Sequence, residues 1–331
     1  MARELRFKQR LFFKTVAVAL STLLSVSMLG TAHADDEWPK GPVNVIMHTK
    51  AGGTADIFIR TLAKNLEPII GEKLVIINAP GGGGASQMAR VRAAKPDGQT
   101  IAVNTMTHFT SMLTNLNGVF ALDDFSWIAS AQEDEIILFV RKDSKLQNLD
   151  DLVAKAREGT VNVGGFGPVG SMQQIAVSML ESNAEVKVNW VGFESTPDIT
   201  AALLGGHIDV AVSNLGALEA FFKADRIKGL GVMGTKRLSA LPDLATFDEQ
   251  GYKVDTSWVQ VRGFFGPGNM PLKTQQKIAD AIHQAMKSDE YQTYARAAGV
   301  TDSWLGPVEY TKLVHQATET ADKQLKAAGL K

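Results

Sequence analysis

Two glycine-rich turns are the residues of this sequence whose types and spacing best suit chemistry, and that chemistry is anion binding. The first reads Ala51-Gly52-Gly53-Thr54 and the second Pro80-Gly81-Gly82-Gly83-Gly84, each between a predicted strand and a predicted helix. The first turn of a helix has unpaired backbone N–H groups and about half a positive charge from the helix dipole. Glycine lets a ligand approach those groups closely. One such turn could be an ordinary tight turn, but two on neighbouring strands predict an anion site.

No other pattern in the sequence predicts catalysis or a bound cofactor. Gly165-Phe166-Gly167-Pro168-Val169-Gly170 has the glycine spacing of a dinucleotide site, but Pro168 lacks the N–H that a pyrophosphate needs. The glycines at 81–84 lack the Lys-Ser/Thr of a P-loop. The histidines show no metal-ligand spacing, and Ser171 has no nucleophile-elbow motif around it. We therefore expect no metal, no cofactor and no catalytic residue.

Strands and helices alternate along the first half of the chain. Apolar runs predict strands at 43–47, 74–77 and 100–103. The run at 74–77 is unbroken, so this strand is expected to be buried on both faces of its sheet. Helices are predicted between the strands, at 59–69 and at about 86–94. This alternation is typical of a mainly parallel sheet.

A second series of strands and helices follows, and the chain then returns to the first. Residues 136–140 lead into the series, and residues 257–265 lead back from it. Long helices at 274–287 and 308–327, with no strand after them, are expected to pack on the first sheet. The predicted domains are residues 35–130 with 258–331, and residues 131–257. The remaining predicted elements are strands at 161–163, 186–191, 208–212 and 230–233, and helices at about 172–180 and 197–204.

The N-terminal residues have the pattern of a secretory signal peptide. Residues 1–14 carry five basic side chains and one acidic one, an apolar stretch runs over residues 16–29, and Ala32-His33-Ala34 supplies small residues at the cleavage positions. A membrane anchor is the alternative, but the apolar stretch is shorter than the about 20 residues that a spanning helix needs. We expect cleavage after Ala34 and a periplasmic protein.

Charge and cysteine content exclude several classes of protein. The whole chain has a net charge of −1, and without residues 1–34, which hold five basic residues and one acidic residue, the net charge is −5. Nucleic-acid binding requires a basic surface and is not expected. The absence of cysteine excludes disulfides, thiolate catalysis and a lipid-modified cysteine. The length left after residue 34 is sufficient for two ordinary domains.

Several motifs, in order along the chain, carry a resemblance to a known family. The sequence resembles the receptors of tripartite tricarboxylate transporters, also called Bug receptors, whose two loops are similar to the segments at 50–56 and 78–84 here. The resemblance covers nearly all of the chain after residue 34. It continues through Ala94-Lys95-Pro96-Asp97-Gly98-Gln99-Thr100, Leu203-Leu204-Gly205-Gly206-His207-Ile208-Asp209, Leu238-Ser239-Ala240-Leu241-Pro242-Asp243 and Thr256-Ser257-Trp258.

The resemblance implies the architecture and the ligand. The fold class is α/β, a type II-like periplasmic binding protein of two domains, each a mainly parallel sheet flanked by helices. The ligand cleft lies between the domains, which close by hinge motion. In the family the two loops hold the near carboxylate and the second domain contacts the rest of the ligand. The implied ligand-binding residues are Lys50, Ala51, Gly52, Gly53, Thr54, Asp56, Gly82, Gly83, Gly84, Thr107, His108, Gly170, Ser171, Phe193, Ser213 and Asn214.

The sequence departs from the family pattern at two places in the expected site. Lys50 and Ala51 replace two prolines, and Phe193 stands where the family usually has tyrosine. Lys50 could add a charge-assisted contact to a ligand carboxylate, or it could be a solvated loop lysine. Phe166, Phe193 and Trp258 could line an aromatic or long apolar ligand, although a role in the core is favoured. Asp56 is favoured as a complement to the helix dipole, with loop ordering second.

The resemblance implies a receptor that captures a small di-, tri- or aromatic carboxylate and delivers it, as a monomer, to a permease of one large and one small membrane subunit. A periplasmic enzyme acting on a carboxylate and a sensor for a membrane kinase are the alternatives. A receptor leaves its ligand chemically intact, whereas an enzyme turns it over. Loss of growth on the ligand after gene deletion favours transport, and loss of induction alone favours sensing.

Overall fold

The computed structural model describes residues 38–256 and 258–331. The predicted signal peptide, its cleavage site and the membrane-anchor alternative lie outside these residues. Within them, Trp38–Lys331 forms one compact unit, and no helix is long and apolar enough to cross a membrane. The unit contains two sheets with helices on their faces, which confirms the predicted α/β class.

The first sheet has six strands in the order β11-β4-β10-β3-β1-β2. Together with the helices packed on it, this sheet forms the first lobe. Its helices are α1 (Thr54–Ile70), α2 (Ala85–Arg92), α3 (Met106–Leu113), α8 (Leu272–Met286), α9 (Asp289–Ala298) and α10 (Pro307–Ala327). Its strands are β1 (Val43–Met47), β2 (Leu74–Asn78), β3 (Thr100–Asn104), β4 (Phe125–Asp134), β10 (Gln260–Pro267) and β11 (Thr301–Leu305).

The second sheet has five strands in the order β7-β6-β8-β5-β9 and, with its helices, forms the second lobe. Its helices are α4 (Leu149–Glu158), α5 (Met172–Ala184), α6 (Thr196–Leu204) and α7 (Glu219–Lys223). Its strands are β5 (Ile136–Arg141), β6 (Asn162–Phe166), β7 (Asn189–Phe193), β8 (Val210–Ser213) and β9 (Ile227–Met233).

Both sheets are mixed rather than mainly parallel. The strands next to the glycine turns, β2-β1-β3, are parallel as predicted, and so are β7-β6-β8 in the second sheet. The other neighbours are antiparallel, because β10 pairs with β3 and β4 after the chain has returned from the second lobe. Strand β5 likewise runs antiparallel to β8 and β9.

Two sequence-based expectations about single elements are wrong. Strand β2 is the edge strand of its sheet, and Val75 is 44% exposed, so the unbroken apolar run does not mark a strand buried on both faces. The C-terminal region contains β11 between α9 and α10, although no strand was expected there. Strand β11 begins with three polar residues and has only Trp304 and Leu305 as apolar ones, so its sequence lacks the apolar alternation that predicts a strand. The helices α8 and α10 do pack on the first sheet, against β4, as predicted.

The chain crosses between the lobes at two adjacent places. Strand β4 ends at Asp134 and β5 begins at Ile136, while β10 enters the first sheet with Gln260 opposite Asp134. The predicted domain boundaries at residues 130 and 258 lie close to these points and stay predictions. Three apolar cores hold the elements together, one within each lobe and a third that extends through both lobes.

Gly263 provides a stability test of the strand that returns to the first lobe. A Cβ atom at this position would meet the Tyr310 hydroxyl of α10 and would lie 2.7 Å from the carbonyl oxygen of Ala129. Overpacking of this kind costs about 1–3 kcal/mol, so Gly263→Ala is expected to lower the free energy of unfolding by that amount in urea titrations. Gly159→Ala is the control, because nothing lies within 4 Å of a Cβ there. Equal urea midpoints for the two variants would contradict the described packing.

Candidate functional site

An inner cavity lies where the two lobes face each other, with a free volume of about 40 Å³. Most of its residues are the last residue of a strand or lie within three residues after it, as expected for ligand sites in open α/β sheets. From the first lobe it is lined by His48, Thr49, Gly53, Thr54, Ala55, Thr105, Thr107, Gln260 and Arg262. From the second lobe it is lined by Phe166, Gln173, Ser195, Thr196, Ser213 and Asn214.

The N-terminus of α1 opens into the inner cavity. Gly53 is its N-cap and, having no side chain, gives no capping hydrogen bond. The first helical bond runs from the Ile57 N–H to the Gly53 carbonyl, so the amides of Thr54 and Ala55 precede the helical hydrogen-bond ladder. Both residues line the cavity. This arrangement presents backbone donors and the positive end of a 17-residue helix to an anion.

An outer cavity of about 270 Å³ adjoins the inner one. The second glycine turn forms its wall in the first lobe, and Phe193 and Glu194 are part of its wall in the second. The glycine turn requires glycine at position 83, because its φ is +66° and a Cβ would lie 2.6 Å from the Ser111 hydroxyl oxygen. The remaining lining residues are Asn115, Gly167, Pro168 and Gly192, with His48 and Phe166 shared between the cavities.

His48 and Phe166 form the partition between the two cavities. Their rings meet edge to face with centroids 5.3 Å apart, His48 from the first lobe and Phe166 from the second. A ligand that extends from one cavity into the other therefore passes these two rings. Phe193 lines only the outer cavity, whereas Trp258 is buried in the core and donates its indole N–H to the Met172 carbonyl. The core role favoured for Trp258 is confirmed.

A buried ion pair lies beside the inner cavity. Arg262 on β10 pairs through Nη1 with Asp134 at the end of β4, and both side chains are 2% exposed. The Gln132 amide donates to Asp134 Oδ1 over 3.0 Å, and the Tyr291 hydroxyl donates to Gln132 Oε1 over 3.0 Å. These bonds fix the carboxylate of Asp134 and, through it, the guanidinium group.

Three buried side-chain atoms at the inner cavity have no hydrogen-bond partner among the described residues. They are His48 Nδ1, Thr49 Oγ1 and Arg262 Nε, and all three residues line the cavity. Burying a polar group without a partner costs about 1–3 kcal/mol, and more when the group is charged. A polar group from outside the chain, water or a ligand, would satisfy these atoms.

Two buried imidazoles lie side by side at the base of the site. His108 accepts the Thr105 amide at Nδ1 over 3.0 Å and contacts Gln87 Oε1 through Nε2 over 2.6 Å, which places its proton on Nε2. Burial lowers the pKa of His108 to about 4. Burial, and then the charges of His108 and Arg262, hold the pKa of His48 well below its ordinary value. Both rings are therefore neutral at pH 7.

Asp56 orders the first glycine turn. Its carboxylate accepts the Gly52 amide over 2.9 Å, the Asn78 amide over 3.0 Å and two bonds from Arg60. Burial raises the pKa of Asp56, but hydrogen bonds from Arg60, Gly52 and Asn78 outweigh burial and leave this pKa below its ordinary value. The carboxylate is thus held in place by loop and helix, so loop ordering accounts for its contacts better than a dipole role alone.

Lys50 links the two lobes. Its ammonium donates to Asp198 Oδ2 over 3.0 Å and lies 3.8 Å from Glu194 Oε2, both in the second lobe. Lys50 lines neither cavity and is half exposed. Its predicted contact with a ligand carboxylate stays a prediction, and the described structure gives Lys50 the role of an ion pair between the lobes.

The predicted site residues fall into three groups. Gly53, Thr54, Thr107, Ser213 and Asn214 line the inner cavity. Gly82, Gly83 and Phe193 line the outer cavity. The other eight line neither: besides Lys50 and Asp56, these are Ala51, Gly52, Gly84, His108, Gly170 and Ser171. Of these, Gly84 lies against His108, and Ser171 caps the start of α5.

Sequence reasoning missed several residues of the inner cavity. His48, Thr105 and Ser195 stand one or two places after strand ends, so the rule that ligands bind at strand ends would have found them. Arg262 lies inside an antiparallel strand, where that rule does not apply. Its signal was a charged side chain within the apolar run at 258–265. The other missed residues are Thr49, Ala55, Gln173, Thr196 and Gln260.

The fold and the cleft define a two-domain solute-binding protein of the periplasmic binding protein type. BugD, a periplasmic binding protein, has a TM-score of 0.82 at 23% identity over 89% of this chain and 99% of its own. MatC from Rhodopseudomonas palustris with bound malate has a TM-score of 0.79 at 22% identity, over 87% of this chain and 100% of its own. An R. palustris protein with adipate has a TM-score of 0.83 at 22% identity, over 88% of this chain and 99% of its own.

The profile of the tripartite tricarboxylate transporter family receptor matches residues 58–330, so the chain belongs to this receptor family. The family resemblance seen in the sequence is confirmed. A UPF0065 protein of Bordetella pertussis is 28% identical over 286 residues, which cover 85% of this chain and 87% of the relative.

Among residues 38–256 and 258–331, no group of three or more His, Asp or Glu side chains is arranged to hold a metal ion.

The ion pair of Lys50 generates a salt-dependent prediction. Lys50→Glu is expected to lower the melting temperature by a few degrees at low ionic strength, because it repels Asp198 and Glu194. The effect should nearly vanish in about 1 M salt, where the Debye length is about 3 Å. Lys145→Glu, on the exposed surface of the second lobe, is the control for charge reversal alone. The same shift in both variants at both salt concentrations would argue against the ion pair.

The buried histidines predict a pH-dependent stability. The pKa of His108 is about 4 in the folded chain, below the ordinary histidine pKa of about 6.5, so the unfolded chain binds the proton first. The protonation of His108 should leave the free energy of unfolding unaffected above about pH 6.5 and should lower it between about pH 6.5 and 4, by up to about 1.4 kcal/mol per pH unit. His48, whose pKa burial also lowers, adds to the fall in the same direction. Urea titrations across this range measure the slope.

His108→Gln should reduce that slope, whereas His315→Gln, on the exposed side of α10, should leave it unchanged. Identical slopes in the two variants would show that His108 takes up no extra proton on unfolding.

Proposed function

We propose that this chain is a periplasmic solute-binding receptor that captures a small carboxylate between its two lobes. The observation that carries the proposal is the inner cavity, which is lined from both lobes and into which the uncapped N-terminus of α1 opens. Backbone amides and a helix dipole suit a carboxylate without requiring a net positive surface. Membership of the receptor family supports capture rather than chemistry.

Ligand contacts on both lobes explain how binding would close the cleft. A ligand shifts an equilibrium between open and closed forms only if it binds one form more tightly. In the inner cavity the Thr54 and Thr196 hydroxyl oxygens, one from each lobe, are 3.3 Å apart, and Ser213 Oγ lies 3.1 Å from Thr196 Oγ1. A carboxylate among these hydroxyl groups touches both lobes at once, which favours the closed form.

The two cavities support a ligand with a compact anionic end and a longer body. The inner cavity accommodates a group about the size of a carboxylate, and the outer cavity is several times larger. Structural neighbours of the chain hold malate and adipate, which are dicarboxylates of different length. We include di-, tri- and aromatic carboxylates in the proposed class, since Phe166 and Phe193 provide apolar walls for the body.

Delivery to a membrane permease completes the proposal. The family description places such receptors in tripartite tricarboxylate transporters, which supports a transporter as the partner. The resemblance implies that its permease has one large and one small membrane subunit. The closed form, with both lobes held by the ligand, would be the form that docks on that partner. The signal peptide predicted at residues 1–34 supports a periplasmic location.

The test is a thermal-shift screen of the purified chain against succinate, malate, adipate, citrate and benzoate, with mass spectrometry of the ligand afterwards. A carboxylate present at about 100 times its Kd stabilises the folded state by about 2.7 kcal/mol, which raises the melting temperature by several degrees. The ligand should be recovered unchanged. Turnover of the ligand would identify an enzyme instead.

Thr54→Val and Thr61→Val form a matched pair on α1. Thr54 lines the inner cavity and Thr61 does not. Loss of one neutral hydrogen bond costs about 0.5–1.5 kcal/mol, so Thr54→Val should weaken the Kd roughly two- to tenfold in calorimetric titration. Thr61→Val should match the unaltered chain. An unchanged Kd in both variants would show that the ligand does not bind in the inner cavity.

A further inference from the structure

Arg262 is the one cationic side chain among the described residues that line the inner cavity. It projects from β10, inside the sheet of the first lobe, and only 2% of its surface is exposed. Asp134 contacts its Nη1 atom, but Nε has no partner among those residues. An arginine presents two edges for hydrogen bonding, and the edge formed by Nε and Nη2 matches the two oxygens of a carboxylate.

The groups around Arg262 fix its position without occupying that edge. Gln132 and Tyr291 hold Asp134, which in turn holds Nη1 of the guanidinium. His48, the nearest titratable group lining the same cavity, is neutral at pH 7 because burial lowers its pKa. Lys50 pairs with Asp198 and with Glu194 outside the inner cavity. The free edge of Arg262 is thus the strongest donor available to an anion there.

We propose that Arg262 binds a carboxylate oxygen of the ligand through Nε, with Asp134 as the residue that positions the guanidinium. This inference rests on the proposed function and deepens it. Backbone amides at the start of α1 then bind the same carboxylate from the other side, so the anionic end is held by a side-chain cation as well as by the first glycine turn. The inner cavity thereby selects a carboxylate over a neutral amide of the same shape.

The Asp134 carboxylate does not cancel this preference. Of the guanidinium nitrogens, the carboxylate of Asp134 accepts a hydrogen bond from Nη1 only. The positive charge of the guanidinium is spread over three nitrogens, so its remaining N–H groups are still charge-assisted donors. A neutral ligand would leave Nε without an acceptor of matching strength. Asp134 also explains how a buried arginine is tolerated before the ligand arrives, since an unpaired buried charge would be far more costly.

Arg262→Lys is the direct test, because lysine retains the positive charge beside Asp134 and removes Nε with its planar edge. Succinate, malate, adipate, citrate and benzoate are screened with the unaltered chain, with Arg262→Lys and with the control Arg237→Lys. Arg237 pairs with Glu249 on the surface of the second lobe. The proposal predicts that Arg262→Lys weakens the Kd of every carboxylate that binds by roughly 10- to 100-fold, and that Arg237→Lys weakens none.

The outcomes separate the two proposals. If the unaltered chain binds none of the five carboxylates, the proposed function and this inference both fail. If it binds one and Arg262→Lys binds it equally well, the inference alone fails. Inorganic phosphate serves as a further probe: a Kd for phosphate tighter than for all five carboxylates would show that the Arg262 edge selects a phosphate oxyanion, which also overturns the inference.

A crystal structure of the unaltered chain with the carboxylate that binds best gives a result that does not depend on the variant folding. The inference expects a carboxylate oxygen within about 3.2 Å of Arg262 Nε. It is overturned if the carboxylate contacts only backbone amides of the glycine turns while Nε bonds to water.

Discussion

The pairing of β10 between β3 and β4 is the constraint on which the rest of the structure depends. The first sheet is complete only after the chain has formed the second lobe and returned, and the return brings Gln260 opposite Asp134, beside the point where the chain left. Both connections between the lobes therefore lie side by side at one edge of the cleft. Backbone rotation at these two connections would change the orientation of the lobes, and it would also have to rearrange the apolar contacts of the core that both lobes share.

That same pairing places a buried ion pair next to the connections. Asp134 ends β4 and Arg262 lies two residues into β10, so the register that joins the sheet also brings the two side chains together. Their pairing lowers the cost of burying either charge, and the Gln132 and Tyr291 side chains complete the arrangement. A ligand that contacts Arg262 would therefore bind beside the residues at which the lobes are connected, and local contacts there would favour the closed form of the cleft.

The inner cavity is electrostatically suited to holding an anion, because the amides at the start of α1 and the side chain of Arg262 line it. The two histidines of the site are buried and neutral at pH 7, and the Thr105 amide and Gln87 occupy the nitrogens of His108, whereas His48 Nδ1 has no partner among the described residues. The Thr105 hydroxyl, which lines the inner cavity, lies 3.4 Å from His48 Nε2 and 3.4 Å from His108 Nδ1. The first and second glycine turns line different cavities, so they provide separate surfaces for the anionic end and the body of one ligand.

The sequence by itself determined the α/β class, most strand positions, the family and the glycine turns, because apolar periodicity and glycine spacing are local signals. It could not show that β2 is an edge strand or that the sheets are mixed, since strand order depends on contacts between residues distant in the chain. Of the residues that line the inner cavity, it named some that lie between a strand and the next helix or at that helix's start, such as Asn214 and Thr54. Only the tertiary structure paired Lys50 with Asp198, and only the register of β10 against β4 brought Arg262 to the cavity, because neither neighbour is encoded in local sequence.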